Sequence, residues 1–372
     1  MKKLLIATDC FLPRWDGVTR FLIEIIPHLR QKYKVTVIAP EFLGILHNIE
    51  GVEVIRFPTI NIDFADIKFT SFHYGRIKKI VKEHDIVFSQ TIGPIGISAI
   101  RAAKKYKKPL ICYIHSIEWE LTTKSIDRFK SIINTGTKML ARWLYNKADL
   151  IVVPFEEVGD ILKKNGITSP TFQTHLGTNV ERFIPAESKE KAKQILGIPK
   201  DSIVIGFHGR FGREKNLVTL YRAFRKLEKH FDNIKLLLIG KGVKSIEEMF
   251  TSERNIYLPG ATNNVLPYLH AMDIYVLPSL TETTSLSTLE AMSCELPVVV
   301  TPVGYVKQYV QEKENGMFFP FKNSLVLSMK LEMLIKNKKL REALGKNGRK
   351  TVEKYFTWKK TAEGILKALE GF

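Results

Sequence analysis

A chain of 372 residues with 45% hydrophobic and 26% charged side chains has the balance of a folded globular protein and more length than one ordinary core accommodates. No apolar run approaches the ~20 residues that would span a bilayer, residues 4–7 meet Asp9 too soon to form the core of a secretory leader, and Cys10, Cys112 and Cys294 are widely spaced with no CxxC pairing, which argues against a disulfide framework or a zinc site and for a cytosolic protein. The net charge of +19 calls for an anionic partner or a tolerance of repulsion, yet no nucleic-acid-binding motif or interleaved aromatic platform accompanies it, so nucleic acid is set aside.

Residues 4–7 are expected to form the first buried strand, the loop 9–18 leads into an amphipathic helix near 19–32, and 35–39 is the next strand, ended by Pro40. Gly17 lets backbone approach a ligand where a side chain would not fit. This opening is that of a doubly wound sheet, whose ligands lie at the carboxyl ends of the strands. A weaker strand at 52–57, a mixed aromatic and basic region at 64–82 and a strand at 86–89 follow. The strand 110–114 then delivers His115 at its carboxyl end, on the face where Gly17 sits, which is the place of an active-site residue.

Between Arg101 and Lys147 eleven Lys or Arg stand against three acids, a net of +8 from 11 − 3. Within that region 121–147 reads as a helical segment with Ile126, Phe129, Ile133, Met139, Leu140, Trp143 and Leu144 on its apolar side and basic residues elsewhere. It suits an anionic membrane surface; the other reading is a core-packing helix with a solvated basic face. Strands at 150–154 and 171–175 complete the first half.

The second half opens with a strand at 202–207 and a glycine-bearing loop bracketed by Arg210 and Lys215, an arrangement that can hold a diphosphate. Strands at 235–239 and 255–260 precede the richest stretch, 273–304. There two short apolar runs, 274–277 and 298–300, flank a helix marked by Leu286, Leu289 and Met292, which Thr284 or Ser285 caps. The free N–H groups of that helix end favour phosphate. Glu282 and Glu290 frame it, and carboxylates beside a phosphate are tolerable when they face hydroxyl groups, of which each can accept two. A phosphate site with two diol-binding acids suggests a sugar nucleotide. Residues 325–350 are expected to be helical, and a last helix begins at Trp358.

Glu282, seven residues and Glu290, followed by Ala291-Met292 and Pro297-Val298-Val299, resemble the E-x7-E signature of the retaining glycosyltransferases of family 4, which have the GT-B fold. Arg210 and Lys215 stand where that family has an Arg and a Lys, His115 where it has a histidine, and residues 176–185 (LGTNVERFIP) resemble its G-V-D-x-x-x-F-x-P with Asn179 in the aspartate place. The chain departs from the pattern at Asp16-Gly17, where relatives carry two glycines, at Ser285 for Gly, and at Glu295, where a Gly normally closes the helix and a left-handed backbone is expected at some cost.

The resemblance implies an α/β GT-B architecture, two doubly wound Rossmann-like domains facing across a cleft: an acceptor-side domain over 1–185, joined by a C-terminal helix at 357–372, and a nucleotide-sugar domain over 186–356. It implies a retaining hexosyltransferase (EC 2.4) using a UDP- or GDP-sugar without a cofactor. Arg210 and Lys215 can neutralise the leaving diphosphate, so no tightly bound metal is expected. His115 and Glu282 would be catalytic, and Gly17, Arg210, Lys215, Thr284, Ser285, Leu286 and Glu290 would hold the donor. The basic segment points to a lipid or lipid-linked glycan acceptor at the cytosolic face of the membrane. A soluble sugar acceptor and a GT-B sugar-nucleotide epimerase are the alternatives.

Overall fold

A computed structural model describes residues 1–14, 16–44, 49–64, 67–119, 130–251 and 253–372, with backbone alone for 61–64, 67–69 and 130. The chain separates into two compact units, Met1–Leu176 with Trp358–Phe372, and Gly177–Thr357. Both are Rossmann-like α/β units built on parallel sheets.

The first unit carries β1 (Lys2–Ala7), β2 (Tyr33–Glu41), β3 (Glu53–Phe64), β4 (Ile67–Thr70), β5 (Ile86–Ser89), β6 (Leu110–Tyr113), β7 (Leu150–Val153) and β8 (Thr171–Gln173), ordered β4-β3-β2-β1-β5-β6-β7-β8. All neighbours run parallel except the β3–β4 hairpin. Helices cover both faces, so the central strands are apolar throughout, with Leu4, Leu5, Ile6, Val87 and Phe88 fully buried. The order reverses between β1 and β5, which makes their carboxyl ends the switch point of the sheet.

Two details differ from the sequence expectation here. β2 runs through Pro40, because β1 ends opposite Ile38 and no strand on that side needs the missing N–H. The segment 177–185, expected in the first domain, belongs to the second unit, since the Phe183 carbonyl accepts from Ser293 Oγ at 2.7 Å and Arg349 Nη1 at 3.1 Å. The last helix, Trp358–Glu370, packs on the helix Gly17–Leu29, with the Trp358 and Phe21 rings 6.3 Å apart.

In the second unit β9 (Ile203–His208), β10 (Ile234–Ile239), β11 (Ile256–Gly260), β12 (Ile274–Leu277), β13 (Val298–Val300) and β14 (Met317–Phe318) lie parallel in the order β11-β10-β9-β12-β13-β14. Its switch point is between β9 and β12. The expected helix 325–350 is two helices, Ser324–Lys336 and Lys338–Tyr355. Asn337 (φ −124°) breaks the run by accepting the Leu340 N–H at 2.9 Å with its side chain, a local cap that competes with helix continuation.

The helix Leu286–Ser293 ends at Glu295 with φ 56°. Leu296 N–H reaches the Ala291 carbonyl at 3.0 Å and Glu295 N–H the Met292 carbonyl at 3.1 Å, the paired bonds of a Schellman end. A left-handed backbone costs a residue with a Cβ about 1–2 kcal/mol, and glycine recovers most of this less its own entropy. Glu295→Gly should therefore stabilise the protein by about 1 kcal/mol, read as a higher urea midpoint at unchanged slope; a lower midpoint would show that the Glu295 side chain holds the turn.

Candidate active site

The carboxyl ends of β9 and β12 release two loops, 209–216 and 278–285, that hydrogen bonds lock together. Asn216, itself left-handed at φ 50°, donates from Nδ2 to the Pro278 carbonyl at 3.2 Å, and Leu280 N–H donates to the Glu214 carbonyl at 2.7 Å. Gly304 (φ 51°) passes behind the second loop so closely that a Cβ there would stand 2.0 Å from the Glu282 carbonyl oxygen. Only glycine fits this crossing.

These constraints set the side chains. Lys215 Nζ donates to Glu282 Oε1 at 2.5 Å, with the two side chains 20% and 10% exposed. A residue expected on the diphosphate and one expected on the sugar are thus each other's partner. Glu290 is buried inside the first turns of the helix Leu286–Ser293, its Oε2 3.3 Å from His208 Nε2. Ser285 is the cap: its Oγ accepts from Thr288 N at 3.3 Å and from Thr288 Oγ1 at 2.9 Å. The N–H groups of Leu286 and Ser287 have no acceptor within the helix. Thr284 Oγ1 is buried without a hydrogen-bond partner among the described residues. Arg210 lies apart from this group, its side chain 60% exposed and bonded to Glu214 at 2.7 Å.

In the first unit Gly17 opens the helix Gly17–Leu29, and a Cβ on it would meet nothing within 4 Å. Asp16, in the place of a glycine, accepts the Thr19 N–H at 2.8 Å and so caps that helix. His115 follows β6 with Nε2 3.0 Å from Gln90 Oε1, packed against Tyr113 (4.4 Å) and Phe21 (4.9 Å), one edge partly exposed. Burial pushes its pKa down to about 3, so the imidazole is neutral at neutral pH. Three residues on, where helix begins, burial pushes the Glu118 carboxyl up to about 7, against the pull of the Tyr145 hydroxyl that donates to it. Sequence reasoning passed over Glu118 and His208, although the rule that singled out His115, position at a strand's carboxyl end, reaches both.

Of the basic segment, residues 120–129 lie outside the described residues. In the helix Lys130–Tyr145, Ala141, Leu144 and Tyr145 are buried, whereas Ile132, Met139 and Trp143 are 72%, 68% and 48% exposed. Met139, Leu140 and Trp143, expected on one apolar side with Leu144, instead share the outer surface with the cations; Lys147 Nζ lies 4.4 Å from the Trp143 ring centroid.

Two family models match the chain, Glycosyltransferase Family 4 over residues 15–182 and Glycosyl transferases group 1 over residues 188–351. The capsular polysaccharide biosynthesis glycosyltransferase CapM of Staphylococcus aureus is 30% identical over 206 residues, 53% of this chain and 53% of that protein, so the match spans about half of each. The alpha-monoglucosyldiacylglycerol synthase of Streptococcus pneumoniae is 23% identical over 342 residues, 88% of this chain and 77% of its own. The crystal structure of Anabaena Alr3699/HepE in complex with UDP and glucose superimposes with a TM-score of 0.80 at 17% identity over 100% of both chains, a likeness of fold.

His115 titrates near 3 when folded and near 6.5 when unfolded. In that window the unfolded chain binds the proton first, so stability rises with pH and is lost as pH falls from about 6.5 towards 3. His115→Gln should lose less stability than wild type between pH 7 and pH 5, measured by urea midpoints; equal losses would show that the folded imidazole takes up its proton as readily as the unfolded one.

Proposed function

Because the chain belongs to the group 1 glycosyltransferases of family 4, with the GT-B fold, we propose that it moves a hexose, with retention, from a UDP- or GDP-sugar to a lipid or lipid-linked glycan at the cytosolic membrane surface. The observation that carries this reading is the Lys215–Glu282 pair set beside the Ser285-capped helix end. A cation, free N–H groups and a hydroxyl-accepting acid converge there, which is what a sugar diphosphate presents.

The diphosphate would lie on the N–H groups of Leu286 and Ser287 with the Thr284 hydroxyl beside it. Lys215, and Arg210 on exchanging Glu214 for phosphate, would neutralise the charge that develops as the bond from C1 to the phosphate oxygen breaks. That neutralisation makes a tightly bound metal unnecessary. Glu282 would accept the hydroxyl protons of the sugar and Glu290 those of the ribose, while the neutral His115 orients the sugar and Gly17 leaves room at the backbone. The acceptor oxygen attacks C1 on the face the diphosphate leaves, and the acceptor proton passes to the departing phosphate oxygen. Retention then follows without a covalent intermediate.

The UDP and glucose bound to HepE support the donor class, and the diacylglycerol named for the pneumococcal relative supports a lipid acceptor. The exposed Ile132, Met139 and Trp143 among basic residues supply a surface for peripheral attachment. Among the described residues no helix is long and apolar enough to cross a membrane.

A thermal-shift panel of UDP- and GDP-sugars tests the donor. At ~100-fold excess over its dissociation constant the correct class should stabilise the wild type by about 2.7 kcal/mol and should fail to stabilise Arg210→Ala with Lys215→Ala. A shift that survives in the variant would remove both cations from the site. Flotation on anionic vesicles tests the acceptor side: Met139→Glu with Trp143→Glu should weaken binding roughly tenfold, in line with losing about 1 kcal/mol or more of surface attraction, while keeping the donor shift. A wild type that ignores anionic vesicles would favour a soluble acceptor.

A further inference from the structure

We propose that His208 is the positioning residue for Glu290, and that through it the site tells a ribose from a 2′-deoxyribose. The inference rests on the reading that Glu290 takes the ribose hydroxyls. His208 is the last residue of β9, at the point where the order of the second sheet reverses. Its Nε2 stands 3.3 Å from Glu290 Oε2 and 3.3 Å from the Ser287 carbonyl oxygen. The carbonyl only accepts, so Nε2 carries the hydrogen of that bond, and the Glu290 carboxylate oxygen stands at the same distance beside it. That hydrogen ties the end of β9 to the opening turn of the helix that holds the site.

Burial makes the tie matter. The His208 and Glu290 side chains are 7% and 2% exposed, so water cannot take the place of the imidazole beside the carboxylate. The imidazole is itself placed by the β9–β10 register, His208 opposite Ile239, and by the Tyr275 ring 5.6 Å away. A carboxylate that must accept two hydroxyl hydrogens at once needs its plane set before the ligand arrives. His208 bounds it on one side, with Nε2 3.3 Å from one oxygen. Without the imidazole beside it the carboxylate plane is less well set, and then it accepts fewer ribose hydrogens.

The test compares UDP with 2′-deoxy-UDP by calorimetry on the full chain, or GDP with 2′-deoxy-GDP where GDP-sugars are the ones that stabilise the wild type. Wild type should prefer the ribonucleotide at least tenfold. Glu290→Gln should cut that preference to about threefold or less. His208→Phe should lose about tenfold in ribonucleotide affinity, leave the 2′-deoxy affinity nearly unchanged and so lose the preference, and His208→Gln, whose amide can donate from a similar place, should recover part of it. Should His208→Phe fail to fold, His208→Asn, too short to reach Glu290, carries the same comparison. Normal discrimination in the His208 variants beside a loss in Glu290→Gln would overturn the role of His208 alone. Equal weakening of both nucleotides would mean that His208 is merely structural and would also overturn it. Normal discrimination in Glu290→Gln would overturn the ribose reading itself, and the proposal with it.

Discussion

Lys215 and Glu282 meet at 2.5 Å where little water reaches them, and the rest of the second unit's site is arranged around that fact. A buried ion pair is poor evidence of stability, because desolvating two charges offsets much of their attraction, but removing one partner leaves the other uncompensated at a cost of about 3–5 kcal/mol. Under the proposed function the pair would therefore couple two roles that look separable in the sequence. A diphosphate that draws on Lys215 also loosens Glu282, and a sugar hydroxyl that donates to Glu282 also loosens Lys215. Under the proposed function each half of a sugar nucleotide would ease the seating of the other, so a bare nucleotide and a bare sugar would each fit the site less well than the intact donor.

Such a pair holds only if its backbone is stiff. Here the stiffness comes from the sheet order. Parallel strands that reverse order leave adjacent carboxyl ends with diverging loops, and the left-handed Asn216, the Leu280–Glu214 backbone bond and Gly304 behind Glu282 close those loops on each other. None of these three contacts touches a candidate ligand atom. They fix where the charged groups can go, which is why a glycine and an asparagine distant in sequence belong to the site as much as its acids do.

What was legible in the sequence follows from locality. Buried parallel strands appear as apolar runs because both faces are covered, the Ser285 cap and the left-handed Glu295 follow from their neighbours within one turn, and both structural expectations are met. The Lys215–Glu282 pair joins residues 67 apart in sequence, so neither residue signals the other. The break at Asn337 was hidden because the flanking apolar periodicity continues through it and only the cap geometry reveals the stop. Exposure of Met139 and Trp143 was hidden for the opposite reason: periodicity identifies an apolar stripe but not whether protein covers it. The β3–β4 hairpin fell in an aromatic and basic stretch whose pattern matches neither period.

The two units place a histidine by the same device and surround it with different electrostatics. His115, at the end of β6, sits among Phe21, Tyr113 and the amide of Gln90, and its burial keeps it neutral. His208, at the end of β9, faces a buried carboxylate, with the Lys215–Glu282 pair held by the neighbouring loops. Under the proposed reaction that division is the useful one. Negative charge grows on the departing diphosphate, where fixed charges and helix N–H groups lower its energy. The sugar and its acceptor stay nearly neutral apart from transient positive character at C1, and an imidazolium beside that carbon would oppose it. A histidine kept uncharged by aromatic packing could orient a sugar without that penalty, so under the proposed reaction the apolar surroundings of His115 would matter as the charges around Glu282 do.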